Sequence, residues 1–277
     1  MINYEKLAYF LKRNKTVESF SRFMAYPLFF YWKLKEDIAE RKRKNGYVDP
    51  RYIWIKDYEN KYAGQRCFVV ATGPSLTFSD LDMIKDEYSF SMNAAILALD
   101  KTEWRPDFYS IGDGNVFCNI KEAVLQHTEL NIVVDSAIKT SHNLPDWIKA
   151  YPMHLLDHRL LNWKRNPQWT FSDDCYGALY HVPSIVFYVL QFACYMGFKE
   201  IYLLGCDCNY NLPSAHFIEY HDDNLLPAKS FGNELITTHE AFKKYADSRG
   251  IKVINCTRGG MLEVYPRMTL EEVLSKK

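Results

Sequence analysis

The residue types able to do chemistry cluster after short apolar runs. Asp207 follows Ile201-Tyr202-Leu203-Leu204-Gly205-Cys206, and His216 comes a few residues later in a polar loop. An imidazole there could reach over a crevice and act as a general base, while the Asp207 carboxylate holds a hydroxyl or shares that work. Asp113 follows a similar run, Tyr109-Ser110-Ile111-Gly112. It could bind Mg²⁺ beside a diphosphate or take a sugar hydroxyl, and it could equally cap the next helix. His216, Asp207 and Asp113 are the candidate catalytic residues.

Binding groups follow the same logic. The run Cys67-Phe68-Val69-Val70 ends in Ala71-Thr72-Gly73-Pro74-Ser75. That turn shortens side chains, adds a glycine and fixes φ with proline, so backbone can approach a phosphate or ribose. Its amides and the Ser75 hydroxyl are the candidate donors. Asn93 ends a second strand and could bond a ribose or a base. Gly205 belongs to the Asp207 strand end. Asn255 and Thr257 close the last strand, with Arg258 beside them as a candidate phosphate partner. Tyr176-Gly177 reads as the opening of a long helix whose first amides would face an anionic donor.

These residues need elements to position them. From residue 65 apolar strands alternate with helices: strand 67–70, a helix near 79–86, a strand ending at Asn93, then a helix through Leu99. A strand closing on Asp113-Gly114, a helix over 118–127 and a strand over 131–135 follow. Residues 136–174 read as irregular. A long apolar helix over 178–196 leads to a buried strand at 200–204, a polar loop at 209–233, a helix at 235–248 and a last strand, "IKVINCT". This rhythm predicts an α/β fold, Rossmann-like, with a mostly parallel sheet and helices on both faces. The strand ends would then share one crevice.

Ahead of that domain (65–277) stand a helical arm, 1–46, and a linker, 47–64. The arm joins an aromatic block, Phe20 to Trp32, to a charged helix that stops at Asn45-Gly46. Packing of this arm on the body, or on a second subunit of a homo-oligomer, is the favoured reading. The same stretch, 20–44, has the basic flanks of a peripheral contact with an anionic membrane surface.

Composition narrows the function. Lys+Arg and Asp+Glu balance at 34 each, so no basic field argues for nucleic acid as a partner. The odd count of seven cysteines, none in a CxxC pair, predicts reduced thiols and a cytoplasmic protein. No signal peptide is read after Met1, which fits that location or the inner face of the membrane. GxGxxG, GxxxxGK followed by Ser or Thr, and GxSxG are all missing. NAD dehydrogenases, P-loop NTPases and α/β-hydrolases are therefore disfavoured.

The segments "VVATGPSL", "FSMNAAI", "PDFYSIGDG", "GFKEIYLLGCDCNY" and "IKVINCTRGGMLEV", in this order, resemble the 6-hydroxymethylpterin diphosphokinase MptE-like family over about residues 65–275. That family also holds motility-associated flagellin glycosyltransferases. A more distant likeness, through the GPSL turn and the strand before Asp207, runs to bacterial lipooligosaccharide sialyltransferases. The resemblance implies a nucleotide-dependent transferase. In one form it moves a sugar from a nucleotide-activated donor, such as a CMP-sugar, to a glycan or lipid-linked acceptor. In another, ATP and Mg²⁺ serve a diphosphokinase. A separate, non-enzymatic reading is a nucleotide-sugar-binding subunit of a polysaccharide assembly complex. The sialyltransferases carry a histidine base where this chain has Asn233, and His216, His221 and His239 lie close to it in sequence.

Overall fold

The computed structural model describes residues 15–154, 169–210, 216–218 and 228–276. Seven strands form one parallel sheet: β1 (Arg66–Val70), β2 (Ser89–Met92), β3 (Phe108–Ile111), β4 (Ile132–Asp135), β5 (Lys149–Tyr151), β8 (Glu200–Leu204) and β9 (Lys252–Asn255). Two short strands, β6 (Met153–His154) and β7 (Leu179–Tyr180), pair separately. In the large sheet the order is β5-β4-β3-β2-β1-β8-β9. From β1 the chain adds strands in one direction out to β5, then returns to place β8 and β9 on the other side. The order reverses between β1 and β8, where Phe68 lies beside Tyr202.

Both sheet faces are covered, so the strands are mostly apolar and even the serines of β2, Ser89 and Ser91, are buried. Cys67 and Val69 face a layer that includes Phe187, Leu190, Phe198 and Phe242. Phe68 and Val70 face the opposite layer, with Leu81, Trp104, Phe117 and Val273. Helices α5 (Ile185–Tyr195) and α6 (Ala228–Asp247) serve the first layer. Helices α2 (Phe78–Met83), α3 (Gly114–Gln126), α4 (Ser136–Ser141) and α7 (Leu270–Ser275) serve the second. The Rossmann-like α/β class read from the sequence is the class observed.

Several boundaries differ from the sequence reading. The long apolar helix starts at Ile185, with Ser184 as its cap, and does not begin near 178. Pro183 explains this, because proline holds the residue before it in extended conformation. The segment through Leu99 is a 3₁₀ helix, Asn93–Lys101. The stretch from 136 holds α4 and the edge strand β5. Helix α6 begins inside the expected polar loop.

The N-terminal segment forms helix α1 (Lys15–Lys44), which ends in a turn at Gly46 with φ +94°. Its body-facing side is polar, with Glu40 and Arg43 buried and Asp37 half-buried. The Arg43 guanidinium donates to Gly177 O at 2.6 and 2.8 Å, Tyr180 Oη donates to Glu40, and His154 Nε2 pairs with Asp37 at 2.9 Å. Residues 47–64 carry Tyr52 and Ile55 into the core, and Trp54 Nε1 donates to Ala150 O at 3.0 Å.

Candidate active site

The turn after β1 and the end of β8 are built around each other. Gly73 N donates to Gly205 O at 2.9 Å and Ala71 N to Leu204 O at 2.9 Å, so the pairing continues beyond both strands. A Cβ on Gly73 would sit 2.0 Å from Asp207 Oδ2 and 2.4 Å from Gly205 O. Gly205 adopts φ +64°, and a Cβ there would meet Ala71 O at 2.9 Å. Two glycines are thus required by close backbone approach. At the carboxyl ends of the strands, beside this contact, a crevice opens at the reversal of strand order, the usual ligand position in open α/β sheets.

Its walls come from five elements. Thr72 and Gly73 extend β1, Asn93 ends β2, and Gly205 through Tyr210 extend β8. Ser184 and Ile185 at the start of α5, with Leu235 and His239 on α6, close the other side. Five sequence candidates therefore meet here: Thr72, Gly73, Asn93, Gly205 and Asp207. His216 joins them, with Nδ1 3.0 Å from Thr72 Oγ1, and Phe217 N donates to Thr72 O at 3.0 Å. The threonine thereby fixes both the imidazole and the backbone that carries it. His221, Asn211, Ser214 and Glu219 lie outside the described residues.

Asn93 takes φ +49°, a left-handed conformation that asparagine tolerates better than most residues. Its carbonyl oxygen accepts from the Tyr109 hydroxyl. Its side-chain Oδ1 is buried and has no hydrogen-bond partner among the described residues, although a buried acceptor ordinarily has one. Burial pushes the Asp207 carboxyl above the usual range, and bonds from Ser75 oppose that shift. Burial pushes the His239 imidazole down to about 3, so it is neutral at physiological pH. Its Nδ1 lies 3.0 Å from Tyr265 Oη.

Other candidates are placed elsewhere or are already engaged. The Ser75 hydroxyl donates to Asp207 Oδ2 at 2.8 Å and its amide lies 3.4 Å from the same oxygen. Those two donors are directed at a carboxylate, which corrects the expectation that they face a phosphate. Pro74 shapes this turn and is not part of the crevice wall. Asp113 caps α3, accepting from the amides of Asn115 and Val116. Asn255 is buried, donating to Leu262 O at 2.7 Å and accepting from Thr257 N at 3.0 Å. Thr257 Oγ1 accepts from Cys206 N at 3.0 Å. Both brace the β9 end away from the crevice, because a buried polar side chain takes the nearest backbone partner. Arg258 pairs with Asp80.

Tyr176-Gly177 is a correction too. The Tyr176 hydroxyl bridges Asp49 N and Tyr47 O at 2.8 Å each, and Gly177 O receives Arg43. These residues clamp α1 and its exit and do not open α5. The sequence reading passed over Ser184 and Leu235 and set His239 within the helix expected over 235–248, without a part in the crevice wall. Pro183-Ser184 is a helix-start signal that would have found the first. The others depend on the phase of α6, which starts earlier than its apolar pattern indicates.

Among the described residues no three His, Cys, Asp or Glu side chains cluster as a metal site. A Mg²⁺ arriving with a nucleotide diphosphate needs one or two protein carboxylates, and Asp207 would supply one.

A search of solved structures returns the sialyltransferase CstII from Campylobacter jejuni in complex with a substrate analogue, cytidine-5'-monophosphate. It is 12% identical, spans 74% of this chain and 85% of that chain, and has a TM-score of 0.36. No curated protein matches. The family model described as 6-hydroxymethylpterin diphosphokinase MptE-like matches residues 50–212, which hold β1 through β8, Thr72, Asn93 and Asp207. The chain belongs to the 6-hydroxymethylpterin diphosphokinase MptE-like family.

Proposed function

We propose that the protein is a nucleotide-dependent transferase that moves a sugar from a nucleotide-activated donor, with CMP as the favoured nucleotide, to a hydroxyl of a glycan or lipid-linked acceptor. The observation that carries this reading is the Thr72–His216 pair at 3.0 Å, set in the crevice with Asp207 and the buried Asn93 Oδ1. With Nδ1–H donating to Thr72 Oγ1, Nε2 is the nitrogen that would take the acceptor hydroxyl's proton as the bond from sugar to phosphate breaks and the new glycosidic bond forms. Asn93 Oδ1 suits a donor on the nucleotide, either a ribose hydroxyl or an exocyclic amine. The α5 N-terminus, capped by Ser184, favours negative charge developing on the leaving phosphate.

The family description supports a second reading, diphosphate transfer from ATP to a hydroxymethylpterin-like alcohol, with Asp207 holding Mg²⁺. Melting curves with CMP, CDP, UDP, GDP and ATP, with and without Mg²⁺, separate the two, since a ligand of the folded state raises Tm. CMP is expected to raise Tm without Mg²⁺. Stabilisation by ATP and Mg²⁺ alone would overturn the sugar-transfer reading. CMP binding without turnover of any CMP-sugar would leave a binding subunit.

A further inference from the structure

Helix α1 sorts its charges by face. From Phe30 to Lys44 its acidic side chains turn inward: Asp37 pairs with Lys33 and His154, and Glu40 bonds Lys44 and Tyr180. Glu36 is half-buried. The opposite face carries Phe30 (56% exposed), Tyr31 (54%), Leu34 (46%) and Ile38 (46%). The 30, 34, 38 spacing aligns three of these as one stripe along the helix. Around it stand Lys35, Arg41 and Lys42, all exposed. Lys35 Nζ lies 5.6 Å from the centre of the Tyr31 ring. From Phe30 to Lys44 every exposed side chain is apolar or basic.

We infer that this face of α1 lies on an anionic lipid bilayer surface. The charge pattern selects that occupant. A second copy of the same face would set its basic residues against like charges, whereas anionic headgroups neutralise them while the apolar stripe enters the acyl boundary. Among the described residues no helix is long and apolar enough to cross a membrane, so the contact is one of lying on the surface. The inference is independent of what the crevice binds. It would bring a transferase site to acceptors anchored in the membrane.

The test is co-sedimentation of the full chain with phosphatidylglycerol–phosphatidylcholine vesicles and with pure phosphatidylcholine vesicles, at low and at physiological salt. Binding is expected to the anionic vesicles, at least about 10-fold tighter than to neutral ones, and weaker as salt rises. Leu34→Glu with Ile38→Glu changes only exposed positions and should abolish vesicle binding while circular dichroism and nucleotide-induced Tm shifts stay unchanged. Lys35→Glu with Lys42→Glu should remove the preference for anionic vesicles. Failure of the full chain to pellet with anionic vesicles at low salt would overturn the proposal. So would vesicle binding that ignores both double variants. A dimer in sedimentation equilibrium that Leu34→Glu/Ile38→Glu splits, without vesicle binding, would assign the face to a second copy.

Discussion

The Ser75 hydroxyl donates to Asp207 Oδ2 at 2.8 Å, tying the turn after β1 to the end of β8 across the point where the strand order reverses. The same carboxylate occupies the space in front of Gly73. Gly73→Ala should therefore lower stability by about 1–3 kcal/mol, as an overpacked site does. Asp207→Ala should not rescue it, because the Gly205 carbonyl would still lie 2.4 Å from the new Cβ. Urea denaturation of the single and double variants checks this. A Gly73→Ala protein as stable as the parent would show that the two strand ends can separate freely.

His216→Ala should lower turnover by about 10²–10⁴-fold and leave nucleotide affinity unchanged, as loss of a general base does. Thr72→Val removes the hydroxyl that fixes the ring and should lower kcat less severely. The pH–rate profile of His216→Ala should lose its acid limb. Near-normal turnover by this variant would transfer the role to Asp207 or another side chain.

The buried His239 makes stability depend on pH. Its folded pKa of about 3 lies below the ordinary 6.5, so between these values the unfolded chain binds the extra proton. Its contribution is fully present above pH 6.5 and is lost as pH falls towards 3, at up to about 1.4 kcal/mol per pH unit. Urea midpoints from pH 7 to 5 should fall more steeply for the parent than for His239→Gln. Parallel slopes would mean that the imidazole titrates normally in the folded protein.

Arg258 serves the fold. Its partner Asp80 is 2% exposed and is also held by the Thr77 amide and hydroxyl, and these bonds keep its carboxyl low against the raising effect of burial. Arg258→Ala should destabilise the protein by about 1–3 kcal/mol, the cost of leaving a buried acceptor short of a partner. Calorimetry should show unchanged nucleotide binding, and a large loss of affinity would place Arg258 in the site.

The sheet was readable because buried parallel strands such as Phe68–Val70 and Ile201–Leu204 are continuous apolar runs that end abruptly in small or polar residues. β5 was missed because three residues, Lys149–Tyr151, are too few to show a pattern and lie against Pro152. Within the site, Thr72, Asn93 and Asp207 could be placed from strand ends alone, and His216 from the polar loop that follows Asp207. Residue type cannot reveal which polar side chains will be consumed by their neighbours, so Ser75, Asn255 and Thr257 read as ligand-facing when they bond the protein, whereas Asp113 takes the helix-cap role that its sequence position equally allowed. Tyr176-Gly177 was misassigned because the helix it was meant to open starts after Pro183.

The placement of β8 also dictates an order of assembly. Residue 66 pairs with residue 200, and the crevice needs Asp207, His216 and α6 on one side and the β1 turn on the other. During synthesis β1 through β5 emerge first and can align with one another, but β1 keeps an uncovered edge until β8 has left the ribosome. Pairing so distant in sequence is slow, and an open central edge invites other strands. A chain truncated before residue 200 should therefore aggregate even though it holds five of the seven strands.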